Sequence, residues 1–272
     1  MQVRDKCILI TGAGRGIGKR LAIGFASRGA RVGLLARSKP ELDLAQLEIE
    51  HAGGIAMRLR ADVRNPEQIA SAVERLRVQY GSVNAVICAA GIQGPIGPLA
   101  ETSAKSWIET IETNLIGVMN VCRIVLPAMT EARRGKILVI GGGGGATVRP
   151  NFTAYAASKT AVTRMVECLA EELREFNVQI NSMAPGGAYT AMTDEILAAG
   201  DKAGWKEIQD AERVRLTGGV AAEKQVELAA FLLSDQSNHI SGKLVHVNDD
   251  WKKLRDGTVN PELYTLRRVQ KV

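Results

Sequence analysis

Four cysteines, three histidines and 4% aromatic residues are all this 272-residue chain has for staples, metal sites and ring-lined cores. Cys7, Cys88, Cys122 and Cys168 stand far apart in apolar stretches with no CxxC pair. They read as reduced, buried, intracellular thiols rather than disulfides or zinc ligands. His51, His239 and His246 are isolated from one another, so no metal site is expected. No run of 18 or more apolar residues is present, which argues against a membrane-spanning helix. A strand-like run begins at Cys7, leaving no room for a cleavable signal segment, and the expected location is cytoplasmic. The chain also lacks a dense basic run. Its excess of 35 basic over 29 acidic residues, +6, is dispersed, without aromatics interleaved. An anionic small ligand therefore fits this charge better than nucleic acid, which is not an expected partner. What is present is globular in balance, 46% hydrophobic and 24% charged, with a core that must be mostly Ile, Leu, Val and Ala.

Short apolar runs alternate with amphipathic stretches. The strands expected are Cys7 to Thr11, Arg31 to Ala36, Gly54 to Ala61, Val83 to Ala90, Lys136 to Gly141, Val178 to Ala184 and Lys243 to Val247. Helical spacing marks Gly18 to Arg28, Glu41 to Ala52, Pro66 to Tyr80 and Ala154 to Phe176. Unbroken apolar strands in βαβ alternation imply an α/β fold: one doubly wound, mostly parallel seven-stranded sheet with helices on both faces. Two stretches stand outside the pattern. Residues 186–219 are long for a loop and read as a substrate lid. Residues 249–272 follow the last strand and carry Trp251, Tyr264 and Leu266, enough apolar anchors to pack on their own or a partner subunit. The expected division is therefore a dinucleotide-binding catalytic domain over 1–248 and an extension over 249–272.

The segment TGAGRGIG, Thr11 to Gly18, follows the first strand and opens the first helix. Gly12 permits a tight turn, Gly16 lets the backbone approach a pyrophosphate, and Gly18 allows close helix packing. The helix N-terminus then offers unpaired N–H groups to the phosphates. Further on, Tyr155 and Lys159 are four residues apart and share a helix face. A neighbouring ammonium favours the phenolate and moves a tyrosine from its ordinary value of about 10 toward working range. Such a tyrosine can protonate a carbonyl oxygen or deprotonate an alcohol.

The TGxxxGxG spacing, the YxxxK pair, Asn114, the Asp62–Val63 step and the APG run from Ala184 followed by Thr190 occur in order. Together they resemble the short-chain dehydrogenase/reductase family, over roughly residues 5 to 248. The resemblance implies cofactor contacts from Gly12, Arg15, Gly16, Ile17, Gly18, Arg37, Ser38, Asp62, Val63, Ala90, Gly91, Lys159, Pro185, Gly186 and Thr190. It implies that Lys159 holds the nicotinamide ribose and that Asn114 orders a water linking the lysine to solvent. It also implies a homodimer or homotetramer, packed through the helices around Asn114 and Tyr155. The second strand ends in Ala36, Arg37 and Ser38 without an Asp or Glu. An Arg there suits a ribose 2′-phosphate, and Arg15 is placed to approach it, so NADP(H) is expected over NAD(H).

Two departures from the family stand out. A serine is wanted about thirteen residues before Tyr155, where this chain has five glycines, Gly141 to Gly145, with Gly142 at the matching position. Thr147 or Thr153 supplies the hydroxyl from a rearranged loop, or the glycine backbone N–H groups act as donors, or carbonyl chemistry is weakened. The second departure is CAAG, Cys88 to Gly91, where the family shows two asparagines; Cys88 reads as a buried small hydrophobe. Gly187, Ala188, Tyr189, Met192 and Trp205 fall where the family places its substrate loop, and Arg149, Arg213 and Arg215 stand as possible contacts for an anionic substrate or as solvated charges. Gly142, Thr147 and Tyr189 are the substrate-side candidates. The activity expected is interconversion of a ketone and a secondary alcohol by hydride transfer. The alternatives are an NADP(H) sensor without turnover, or a lyase or epimerase using the same tyrosine.

Overall fold

A computed structural model of the chain describes residues 3–255, 260 and 263–267. Seven strands form one sheet: β1 (Cys7–Thr11), β2 (Arg31–Ala36), β3 (Ile55–Arg60), β4 (Val83–Cys88), β5 (Gly135–Ile140), β6 (Val178–Ala184) and β7 (Leu244–His246). Their spatial order is β3-β2-β1-β4-β5-β6-β7. Every pairing is parallel, a stricter arrangement than the mostly parallel sheet expected. Central strands are buried at every position, as sheets covered on both faces require. The edge strand β3 instead alternates, turning Arg58 and Arg60 to solvent. Several expected boundaries move by one or two residues. Ala89 and Ala90 leave the sheet and join the turn after β4, and β5 starts at Gly135.

The helices are α1 (Gly16–Ala26), α2 (Lys39–His51), α3 (Pro66–Tyr80), α4 (Ala104–Ile111), α5 (Gly117–Glu131), α6 (Thr153–Glu172), α7 (Ala191–Ala199), α8 (Trp205–Thr217) and α9 (Ala222–Leu232). Ser38 and Asn65 cap α2 and α3 by accepting from Glu41 N and Gln68 N, each with a proline in the first turn. One core layer lies under α1, α2 and α9, centred on Leu21, Phe25, Leu42 and Leu228. The other lies under α3, α5 and α6, with Ile69, Val121 and Val162. A π-helical turn, Glu112–Ile116, joins α4 to α5. The continuous stretch Ala104–Glu131 has the length and hydropathy of a membrane span, but half of its most apolar window is buried in the fold.

Two expectations change here, and a third narrows to one of its alternatives. Residues 186–219 are not a loop: they hold α7 and α8, whose apolar side chains Ile196 and Ala211 pack with Phe152 and Tyr155. Cys168 is exposed, while Cys7, Cys88 and Cys122 are buried and free. The described part of the extension folds on its own chain. Trp251 stacks on Phe231 with ring centroids 5.2 Å apart, and Leu244 N donates to Tyr264 O at the β7 edge. Leu266 N donates to Glu167 of α6.

Candidate active site

The sheet order reverses between β1 and β4, and at their carboxyl ends opens a cleft of 860 Å³. That is large enough for a dinucleotide and a small substrate at the switch point of an open sheet. Gly12, Arg15, Gly16, Ile17, Gly18, Arg37, Ser38, Asp62, Val63, Ala90, Gly91, Pro185, Gly186 and Thr190 all line it. Gly12 and Gly16 have φ of +66° and +58°, and a Cβ on Gly18 would stand 2.3 Å from Gly12 O. The turn is therefore closed to side chains. Its helix, α1, has no side-chain cap and no acidic residue in its first turn, which leaves N–H groups facing the cleft. Thr190 caps α7 opposite, its Cγ2 3.4 Å from where a Gly16 Cβ would lie. This cradle fits the diphosphate of a dinucleotide.

At the β2 end, Arg37 lines the cleft, exposed and without an ion pair among the described residues. Arg15 is 3.5 Å from Glu41, a carboxylate on α2 that the sequence reading missed because it falls outside the strand tip. Asp62 is held by Arg64 through both carboxylate oxygens, and hydrogen bonds from that guanidinium outweigh burial to keep its carboxyl below the usual range. The missing asparagines after β4 are made good by Thr11, whose hydroxyl accepts from both Ala89 N and Ala90 N at 3.1 Å. Cys88 is buried beside Cys122, and its thiol is pushed well up, consistent with an inert packing residue.

Tyr155 is 9% exposed and lines the cleft; its hydroxyl has no protein partner among the described residues. Lys159 is buried, donates to Ile140 O at 2.8 Å and lies 5.6 Å from the Tyr155 ring centroid. The expected lowering of the phenol is not what these surroundings produce. Burial raises Tyr155, with Arg149 opposing and Glu207 adding to the rise, so the group stands as a neutral acid. Burial likewise lowers Lys159 to about 8. Asn114 sits in the π turn with its amide nearly spent. Its Oδ1 accepts from Ile92 N, and its Nδ2 donates to Ile92 O and to Ser158 Oγ. One lone pair on Oδ1 is left for a water.

Gly142 is where the geometry is tightest. A Cβ there would meet Tyr155 Oη at 2.4 Å, so the phenol occupies the space a side chain would need. Neither candidate threonine stands free to replace the missing hydroxyl. Thr147 lines the cleft but donates to Gly143 O, and Thr153 accepts from Trp107 Nε1 at 3.2 Å, outside the cleft. Among the glycine N–H groups, those of Gly141 and Gly145 are spent on Met183 O and Gly142 O. Gly142, Gly143 and Gly144 remain, of which Gly142 and Gly143 stand in the cleft wall.

The segment 186–219 supplies Gly187, Ala188 and Met192 to the cleft, but not Tyr189 or Trp205. Tyr189 turns its hydroxyl to Asp194 at 2.8 Å, and Trp205 is 73% exposed. Arg149 is not solvated. It forms a two-pronged pair with Glu207 of α8 at 3.0 and 2.7 Å and lies 3.9 Å over the Phe152 ring. Arg213 lines the cleft and pairs with Asp210, while Arg215 is exposed outside it. A residue that sequence reading passed over, Gln93, also lines the cleft. It lies in a Gly/Pro-rich stretch with no periodicity to flag it.

A cleft that joins a diphosphate cradle to a buried, proton-bearing phenol is the working arrangement of a nicotinamide-dependent oxidoreductase. Comparison with known proteins gives the family. The short chain dehydrogenase profile matches residues 6–200. A 3-oxoacyl-[acyl-carrier-protein] reductase, FabG, of Thermotoga maritima is 32% identical over 248 residues, 91% of this chain and 98% of that relative. A cyclohexanol dehydrogenase of a Rhodococcus species is 31% identical, covering 91% and 96%. Among solved structures, an actinorhodin polyketide ketoreductase with NADPH superposes with a TM-score of 0.82 at 28% identity, covering 91% and 97%. The chain belongs to the short-chain dehydrogenase/reductase family, as an NAD(P)-dependent enzyme acting on CH–OH or C=O groups.

Proposed function

We propose that the enzyme reduces a ketone to a secondary alcohol with NADPH, reversibly, with Tyr155 as the proton donor. The observation that carries this is the neutral, cleft-lining phenol with no hydrogen-bond partner among the described residues, beside Lys159. When bound, the nicotinamide cofactor supplies or takes up hydride at the substrate carbon. Tyr155 gives its proton to the oxygen, or removes it in the reverse direction. Lys159, anchored on Ile140 O, sets the charge beneath the phenol and holds ribose hydroxyls. Asn114 fixes the backbone of Ile92 and presents its remaining lone pair to a water. The domain of residues 1–248 carries this chemistry, residues 186–219 close over it as a lid, and 249–272 form an extension. The substrate is a small carbonyl compound or alcohol handled in the cytoplasm.

NADPH is preferred because Arg37 stands free at the adenosine end. Arg37→Asp removes a charge-assisted pair and is expected to raise KM for NADPH about 10- to 100-fold while lowering that for NADH. Steady-state kinetics with both cofactors read this, and unchanged constants overturn the preference. The assembly we propose is a homodimer or homotetramer through α5 and α6, where Ile116 of the adjoining turn is exposed in the single chain. Light scattering at micromolar concentration tests it, and a monomer overturns it. The missing side chain at Gly142 favours one second reading, an NADP(H) sensor, which predicts tight NADPH binding with no turnover on any ketone.

A further inference from the structure

We infer that the carboxamide of Gln93 supplies the hydrogen-bond donor to the substrate oxygen that β5 lacks at Gly142, an assignment that rests on the reductase reading above. Gln93 is 2% exposed, yet its Nε2 donates to no group among the described residues. Five buried side-chain atoms among the described residues share that condition, and only those of Gln93 and Thr113 belong to residues of the cleft wall. An unpaired buried amide costs stability and is a standing invitation to a ligand acceptor.

The backbone fixes Gln93 from both sides in the wall of the cleft that Tyr155 also lines. Asn114 grips both the N–H and the C=O of Ile92, one residue before it. One residue after, Gly94 has φ +73° and packs so closely on Thr110 that a Cβ would stand 2.2 Å from its Oγ1. Further along, Gly97 N donates to Asn151 O at 2.9 Å, and Ile96 packs in the same cluster as Phe152 and Tyr155. The segment thus runs from Asn114 to the loop ahead of Tyr155, and the terminal torsion of Gln93 is a soft one, free to turn Nε2 toward an acceptor in the cleft that the residue lines.

Several other side-chain donors of that wall are committed. Thr147 donates to Gly143 O and Thr193 to Ala188 O, while Arg149 directs two of its N–H groups at Glu207. Thr113, the other cleft-wall residue with an unpartnered buried atom among the described residues, precedes Asn114 in the π turn. As the carbonyl carbon accepts hydride, its π pair moves to oxygen. Tyr155 transfers a proton there, and Gln93 donates a hydrogen bond while keeping its own proton. A glutamine in the segment after β4 does the work of a serine at the end of β5.

The test uses the full chain with NADPH and the ketone that wild type reduces fastest from a panel of sugar-derived, acyl-thioester and aromatic ketones. Gln93→Met keeps the shape and removes the orphan donor. Its Tm in the ligand-free protein is expected to hold or rise, and NADPH affinity by fluorescence titration to be unchanged. Its kcat/KM is expected to fall about 10²- to 10³-fold, the usual loss for one oxyanion donor. Gln93→Glu regains activity toward low pH, where a protonated carboxyl again donates. Turnover of Gln93→Met within about threefold of wild type, with Tyr155→Phe inactive, overturns the assignment and leaves Gly142 N and Gly143 N as the donors. A lowered Tm with lost NADPH binding makes Gln93 structural and also overturns it. If wild type binds NADPH but reduces no ketone, the reductase reading itself fails and takes this inference with it.

Discussion

Tyr155→Phe is expected to lower kcat about 10²- to 10⁴-fold, the usual worth of a positioned general acid, while leaving NADPH binding and Tm nearly unchanged. The separation is possible because the Tyr155 hydroxyl bonds to no described protein group, whereas its ring packs with Phe152, Ile196 and Ala211. Removing the oxygen takes away the acid and none of the packing. The pH profile carries the same signature. Burial holds Tyr155 above its ordinary value and Lys159 down at about 8, so wild-type reduction proceeds at neutral pH and declines as Lys159 loses its proton above about 8. NADPH oxidation measured across the ketone panel reads both. Retained turnover in Tyr155→Phe rules the phenol out as the acid.

Gly142→Ser introduces the serine that the family resemblance calls for at this position, and is expected to reduce activity rather than raise it. The new Cβ falls 2.4 Å from Tyr155 Oη and 3.1 Å from Cε1 and Cζ. The ring has little room to retreat, because Phe152 is fully buried beside it and the Arg149–Glu207 pair lies across it. Overpacking of this kind costs about 1–3 kcal/mol of stability. Displacing a reacting group by about 1 Å costs on the order of 10²-fold in rate. The measurement is kcat on the best ketone together with Tm. A gain in kcat with unchanged Tm contradicts this, and means that the phenol relocates freely and that the site lacked only its serine.

The elements that announce themselves in the sequence are those with a local signal. Strands β1, β2 and β5 are legible because burial on both sides leaves runs that are almost wholly apolar. The glycine turn and the Tyr155–Lys159 pair are legible because their spacing is itself the geometry. The helices α7 and α8 are hidden for the opposite reason: α8 buries only Ala211, so its face carries almost no apolar stripe. Arg149 and Glu207 are 58 residues apart, and nothing local links them. Trp205 reads as lid core by type and stands at the surface by position, since α8 begins there and points it away from the cluster of Phe152 and Ile196. Tyr189 fails likewise, because Asp194, five residues on, draws its hydroxyl out of the cleft.

Thr11 has a wider bearing. Its single oxygen receives the N–H groups of both Ala89 and Ala90, across from β1 to the end of β4. The burden of closing that corner rests on one strand, and its neighbour has been released from it. Cys88 and Ala89 are free to be apolar only because of an atom 78 positions away from Ala89. Tolerance at a site is then a loan from another residue, and a change at Thr11 calls it in two places at once.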